Sequence, residues 1–201
     1  MHSHNSDVVP VASPQPRRSR LTLWLILATC AAPIAASYIA YYFWQPTGHV
    51  NYGELIAPRA LPDAPLQTAE GRSFRFSDLK GEWVLLTVDR AVCDERCRTH
   101  LVYTRQVRLA QGKEAERIER VWLLTDGGTP DPALLAEQPG LTVVRAADSE
   151  LLRALPANAS PADHIYVVDP LGNLMMRFPP NPDPRRILKD MARLLRHSKW
   201  K

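Results

Sequence analysis

Runs of apolar residues separated by turn-forming stretches extend over the part of the chain beyond residue 60. Trp83–Asp89, with the letters WVLLTVD, predicts a buried strand, and Arg120–Thr125 and Leu141–Arg145 predict two further strands. Ile165–Asp169 and Leu174–Phe178 flank the turn sequence Pro-Leu-Gly-Asn, which predicts an antiparallel hairpin. We expect these segments to pair in one sheet.

Segments with the apolar spacing of helices lie between and after these strands. Helices are expected over Asp94–Gln111, Pro132–Glu137, Ser149–Leu155 and from Pro184 to about His197, and a helical turn at Ser77–Lys80 follows an extended piece around Arg72–Phe76. The alternation of strands and helices predicts an α/β fold, with a mixed sheet flanked by helices on both faces. In such sheets, functional sites lie outside the carboxyl ends of the parallel strands.

A long apolar segment precedes this domain. Leu21–Trp44 has 24 residues and no charge, which exceeds the roughly 20 residues that cross a bilayer as a helix. Arg17, Arg18 and Arg20 precede it, so we expect a cytoplasmic amino terminus and an exported carboxyl-terminal domain. A cleaved signal peptide is the alternative, because the small residues 35–37 resemble a cleavage site.

The composition on either side of the segment sets the domain boundaries. Residues 1–20 are polar and proline-bearing and are expected to form a disordered cytoplasmic tail, and 21–44 the transmembrane helix. Residues 45–60 are expected to be an extended linker. Residues 61–201 are long enough for one exported domain with its own core.

The charge of the chain argues against a nucleic-acid partner. The 201 residues carry a formal net charge of +4, but arginines alternate with acidic residues through most of the domain. A basic stripe with interleaved aromatic residues, which nucleic-acid binding would need, is missing from the sequence.

Two cysteines hold the candidate chemistry. Cys93 and Cys97 are four positions apart directly after the first predicted strand, whereas Cys30 lies in the apolar segment. On the first turns of a helix, two thiols with this spacing share one face, where they can hold one soft cation such as Cu(I) or form a reactive disulfide. A structural disulfide is the plain alternative, but a loop this short restrains little of the unfolded chain.

Two histidines compete for the place of a third ligand. His164 begins the strand that enters the hairpin, and Asp163 beside it would orient it or cap a turn. His100 is seven positions after Cys93 and three after Cys97, on the same predicted helix. The sequence alone leaves His164, His100 or no third ligand as alternatives.

Two sequence segments resemble a known family. FRFSDLKGEWVLLTVDRAVCDERC and the later IYVVDPLGN are similar to the thioredoxin-like proteins of the Sco/SenC type, which are membrane-tethered copper-handling factors for cytochrome c oxidase assembly. The resemblance covers the domain from about Leu61 to Leu195 and includes three residues between the two cysteines. It departs from the family at Arg98, where Sco proteins have a proline, and at Pro161, where they place the third copper ligand.

The resemblance implies a thioredoxin-like domain that handles copper. Cys93 would be the attacking thiolate or first ligand, Cys97 the resolving thiol or second ligand, and His164 the third ligand. The implied partners are a cytochrome c oxidase subunit or another copper-assembly factor, and the implied location is the bacterial inner membrane with a periplasmic domain. The alternatives are a general periplasmic thiol–disulfide oxidoreductase or peroxidase, and a non-catalytic assembly scaffold.

Overall fold

The computed structural model describes residues 20–43 and 51–198, which fall into two compact units that divide between His49 and Val50. The first unit contains helix α1, Arg20–Phe43, with Pro33 inside it. Its stretch Arg20–Tyr42 is long and apolar enough to cross a membrane, although a signal sequence near the amino terminus has the same properties. Residues 1–19 of the predicted disordered tail lie outside the described residues, as does the first part of the predicted linker.

The second unit is built on an eight-stranded mixed sheet, which confirms the predicted fold class. Its strands are β1 Glu54–Ala60, β2 Leu66–Thr68, β3 Ser73–Phe74, β4 Trp83–Asp89, β5 Ile118–Leu124, β6 Leu141–Arg145, β7 Ile165–Val168 and β8 Asn173–Arg177. They lie in the order β1-β8-β7-β4-β5-β6-β2-β3. The strands β4, β5 and β6 run parallel, and the remaining pairs are antiparallel, including the predicted β7–β8 hairpin.

Helices cover both faces of this sheet. They are α2 Glu95–Ala110, α3 Pro132–Ala136, α4 Glu150–Ala154 and α5 Pro184–His197, with short 3-10 turns at Phe76–Leu79, Gly112–Arg117 and Pro161–Asp163. On one face, Val107 of α2 and Ile187 and Met191 of α5 pack in one apolar cluster with the strands. On the other face, Leu151 of α4 and Phe76 pack against the same sheet. The central strand β4 is buried at every position because both its faces are covered.

The strands β1 and β2 were not predicted. The strand β1 occupies Glu54–Ala60, within the stretch expected to be linker, so the domain begins earlier than position 61. Nearly all its residues are exposed, and it is held by hydrogen bonds to β8 with an irregularity between Leu55 and Arg59. An exposed edge strand lacks the alternation of apolar and polar residues that predicts a strand from sequence.

Candidate functional site

The two cysteines lie between the carboxyl end of β4 and the first turn of α2. Cys93 and Cys97 are joined by a disulfide with a Cα–Cα distance of 5.3 Å. Cys97 is buried, with 2% of its surface exposed, whereas Cys93 is half-buried and the adjacent Val92 is exposed. Cys93 is therefore the sulfur that an incoming group reaches more easily.

The start of α2 is fixed by Asp94. Its carboxylate accepts a hydrogen bond from the backbone N–H of Cys97 at 2.9 Å, as an N-cap residue does. This bond holds the backbone of the second cysteine in the first helical turn, where the helix dipole favours a thiolate over a thiol.

Arg96, between the two cysteines, contacts three carboxylates. Its Nη1 atom lies 2.6 Å from Oδ1 of Asp163, and its Nη2 atom lies 3.4 Å from Oδ2 of Asp89 and 3.8 Å from Oδ2 of Asp94. A guanidinium beside a cysteine favours the thiolate by its positive charge. The three carboxylates compensate that charge, so the electrostatic support for a thiolate from this side chain is reduced.

Asp89, the last residue of β4, has 7% of its surface exposed. Burial raises the pKa of its carboxyl, and the backbone N–H of Arg90 and the Arg96 guanidinium oppose that rise. The carboxylate accepts a hydrogen bond from the Arg90 N–H at 2.8 Å. Asp89 is thus a buried ion partner whose proton is held more tightly than that of an exposed aspartate.

The imidazole of His164 is buried and anchored. Its Nδ1 atom lies 2.7 Å from the carbonyl oxygen of Phe178, which can only accept, so Nδ1 holds the proton and donates. In the neutral ring, Nε2 then has a free lone pair, which is the form that a metal-ligating histidine needs. The ring packs edge-on against Tyr166 with a centroid distance of 5.9 Å.

His100 lies on the inner side of α2 with 2% of its surface exposed. Burial, helped by the positive charge of Arg96, lowers its pKa from the usual 6.5 to about 4. Its Nε2 atom is buried and lacks a hydrogen-bond partner among the described residues. The ring is therefore neutral at physiological pH and has an unused nitrogen inside the domain.

The structure brings some predicted site residues together and leaves the ligand set open. Cys93 and Cys97 are bonded, and the turn just before His164 is ion-paired to Arg96. Within residues 20–43 and 51–198, no cluster of three or more His, Cys, Asp or Glu side chains is arranged to hold a metal ion. The assignment of Cys93, Cys97 and His164 as metal ligands stays a prediction.

Two pockets differ in their relation to the cysteines. A pocket of about 340 Å³ lies beside the first turns of α2 and is lined by Arg96, His100 and Asn181, among others. A larger pocket of about 610 Å³ is lined by Trp83, at the opposite end of β4, and by residues of α5. We base the candidate site on the smaller pocket, because its lining includes Arg96, which lies between the two cysteines.

The loop between β4 and Cys93 is held by the loop that follows β5. Asp126 accepts a hydrogen bond from the backbone N–H of Ala91 at 3.0 Å and one from Gly128 at 3.3 Å. A Cβ atom at Gly128 would lie 2.6 Å from that of Ala91, so the two backbones approach too closely for a larger residue. This contact sets the path of the chain into the disulfide.

Sequence reasoning missed the partners that connect these segments. Asp163 was expected to orient His164 or to cap a turn, but its bond to Arg96 was not foreseen, nor was the bond of His164 to the Phe178 carbonyl. The Asp94 cap has a sequence signal, an aspartate three residues before Cys97 at a helix start. The other two contacts join residues more than ten positions apart, and nothing in the local pattern marks them.

The comparison with known families agrees with this architecture. Residues 83–198, from the start of β4 through α5, match the family described as transmembrane-like, thioredoxin-like, C-terminal domain. The chain belongs to this family. No curated protein matches the sequence.

Solved structures with the same fold include Sco proteins, which confirms the predicted Sco-type resemblance at the level of the fold. Yeast Sco1 with copper bound is 16% identical, with a TM-score of 0.56 over 70% of this chain and 91% of that one. Bradyrhizobium japonicum ScoI with copper bound is 19% identical, with a TM-score of 0.53 over 67% and 99%. A putative protein disulfide isomerase from Bacteroides thetaiotaomicron is 12% identical, with a TM-score of 0.54 over 74% and 96%.

Proposed function

We propose that this chain is a membrane-anchored factor that delivers copper, or keeps copper-site cysteines reduced, during the assembly of cytochrome c oxidase. The observation that carries the proposal is the Cys93–Cys97 disulfide at the start of α2. Arg96, between the two cysteines, is ion-paired to Asp163 in the turn that precedes His164. The similarity in fold to two Sco structures with copper bound supports the same reading.

In this proposal copper is a cargo that the reduced site takes up. A dithiol reductant would supply the two electrons and two protons that convert the disulfide into two thiols and would itself become a disulfide. The two thiols then release their protons when they bind Cu(I) as thiolates. His164 is suited to be the third ligand because its Nδ1 proton is committed to Phe178. The donor set of two soft sulfurs and one imidazole fits copper in both oxidation states.

The proposed location follows from the amino-terminal segment. A helix that could span a membrane and the arginines before it favour a single-pass protein of the bacterial inner membrane, with residues 1–20 in the cytoplasm and the domain in the periplasm. A cytochrome c oxidase subunit or another copper-assembly factor would then be the partner.

The second candidate is a thiol–disulfide oxidoreductase, which the formed disulfide favours. The thiolate of Cys93 would attack a partner's disulfide and form a mixed disulfide, and the thiol of Cys97 would then displace the partner's sulfur. Two electrons pass to the partner and the chain is left oxidised. The difference in exposure between the half-buried Cys93 and the buried Cys97 matches these two roles.

Copper titration of the reduced, full-length chain in detergent micelles tests the proposal. We expect one Cu(I) per chain, lost in Cys93→Ser and in Cys97→Ser but kept in the matched control Cys30→Ser, whose thiol is free and exposed. A disulfide that exchanges with a partner thiol, without copper affinity in any variant, would favour the oxidoreductase. Oxidase assembly that continues in cells with both cysteines replaced would instead make the chain a scaffold.

A further inference from the structure

Arg96 connects the two halves of the candidate site. It directly precedes Cys97, and its partner Asp163 directly precedes His164. The 2.6 Å bond between Nη1 of Arg96 and Oδ1 of Asp163 therefore links the residue next to the disulfide-bonded Cys97 to the residue next to the His164 imidazole.

The same guanidinium also fixes the sheet side of the site. Its Nη2 atom is 3.4 Å from the buried carboxylate of Asp89 at the end of β4. Arg96 itself is half-buried, since 36% of its side chain is exposed, so these ion pairs are less screened by solvent than pairs on an open surface. One side chain thus spans the end of β4, the first turn of α2 and the turn at Pro161–Asp163.

We infer that Arg96 is a positioning residue that fixes the His164 imidazole relative to the cysteines through Asp163. The backbone of His164 is held in part by the 3-10 turn that ends at Asp163, where its N–H bonds the Pro161 carbonyl at 3.3 Å. A turn of three residues has little stability of its own. It packs against β4, and the ion pair between Asp163 and Arg96 ties it to α2. Lysine could not replace this arginine, because one ammonium group lacks the two-armed geometry that reaches separate carboxylates.

The copper readout of the test rests on the proposed function, so a second readout that needs no copper is included. In the full-length chain in micelles, ¹⁵N-detected NMR of the histidine rings reports the Nδ1–H tautomer of His164 and its bond to Phe178. We expect Arg96→Gln and Asp163→Asn each to remove this single tautomer signature and to weaken Cu(I) binding about ten- to hundredfold, as for other residues that orient metal ligands.

The variants are chosen to separate positioning from general stability. Asp163→Asn leaves the contacts of Arg96 with Asp89 and Asp94 in place, so it remains informative if Arg96→Gln fails to fold. The double variant should lose no more Cu(I) affinity than the more affected single variant, because both changes break the same Arg96–Asp163 bond. Arg72→Gln removes an exposed ion pair with Glu70 at 3.6 Å and is the matched control, which should leave both readouts unchanged.

The outcomes distinguish this inference from the proposed function. A His164 signature that is the same in Arg96→Gln, Asp163→Asn and the unaltered chain would overturn the positioning role, whatever the chain does with copper. A signature that changes in both variants, in a chain that binds no copper, would uphold the positioning role and remove the copper function.

Discussion

The imidazole of His164 and the carbonyl of Phe178 are 2.7 Å apart, and this bond decides which ring nitrogen is left to bind a ligand. The carbonyl accepts the Nδ1 proton, so the lone pair lies on Nε2. The bond crosses from the residue just before β7 to the residue just after β8, so it ties the ring to the end of the hairpin. The hairpin therefore contributes to the candidate site as well as to the sheet.

A first prediction separates the two histidines. His164→Gln should weaken Cu(I) binding at least tenfold, since it removes an imidazole whose tautomer suits a ligand. His100→Gln should change the Cu(I) affinity by less than a factor of about three, because that ring is buried on the inner side of α2 and is not the proposed ligand. Competition with a Cu(I) chelator measures both values, and a larger loss in His100→Gln would reverse the assignment.

A second prediction concerns pH and His100. The folded pKa of about 4 lies below the ordinary 6.5, so the fold favours the neutral ring. The unfolded chain binds this proton more readily than the folded chain does. The contribution of the neutral ring to the free energy of unfolding is therefore fully present above about pH 6.5 and is lost as pH falls towards 4, by up to about 3 kcal/mol. Denaturant unfolding of the full chain at pH 7 and pH 4.5 should show this loss.

His100→Gln should reduce the loss in the free energy of unfolding between pH 7 and pH 4.5, because the variant lacks this titrating ring. Asp89 acts in the opposite direction, because its raised pKa makes the folded chain bind a proton more readily than the unfolded one. The comparison is therefore between two chains that both keep Asp89. Equal losses of stability in the two chains between pH 7 and pH 4.5 would show that the ring is not held neutral.

A third prediction uses the loop contact before the disulfide. Gly128→Ala would place a Cβ atom 2.6 Å from that of Ala91, so either the structure shifts or the loop loses its bond to Asp126. We expect a loss of about 1–3 kcal/mol in the free energy of unfolding. Gly127→Ala is the control, because nothing lies within 4 Å of the added atom, and equal effects from both changes would contradict this account.

A fourth prediction concerns the cap on α2. Asp94→Ala removes the acceptor for the Cys97 N–H and should lower the free energy of unfolding by about 1 kcal/mol. Asp94→Asn keeps an acceptor oxygen and should retain most of that stability. Asp131→Ala removes a similar cap from α3, and the midpoint potential of the disulfide should shift in Asp94→Ala but not in this control.

The sequence alone determined the elements whose pattern is strong. Trp83–Asp89, Leu141–Arg145 and Pro184–His197 have the bounds in the structure that the pattern predicted, because buried strands and an amphipathic helix need long apolar stretches with a fixed period. The proximity of Cys93 and Cys97 was also open to prediction from their spacing, although Cys93 lies just before the Asp94 cap and only Cys97 is on the helix. The mixed α/β order followed from the sequence of these elements.

Tertiary structure decided the remaining parts of the site. The exposed edge strand β1 exists because β8 offers it backbone hydrogen bonds, and no pattern in its own residues requires them. In the same way, Arg96 meets Asp163 across 67 positions of the chain, and Phe178 meets His164 across 14. Local sequence sets the period and the capping of each element, whereas contacts between distant segments depend on how the sheet and helices pack together.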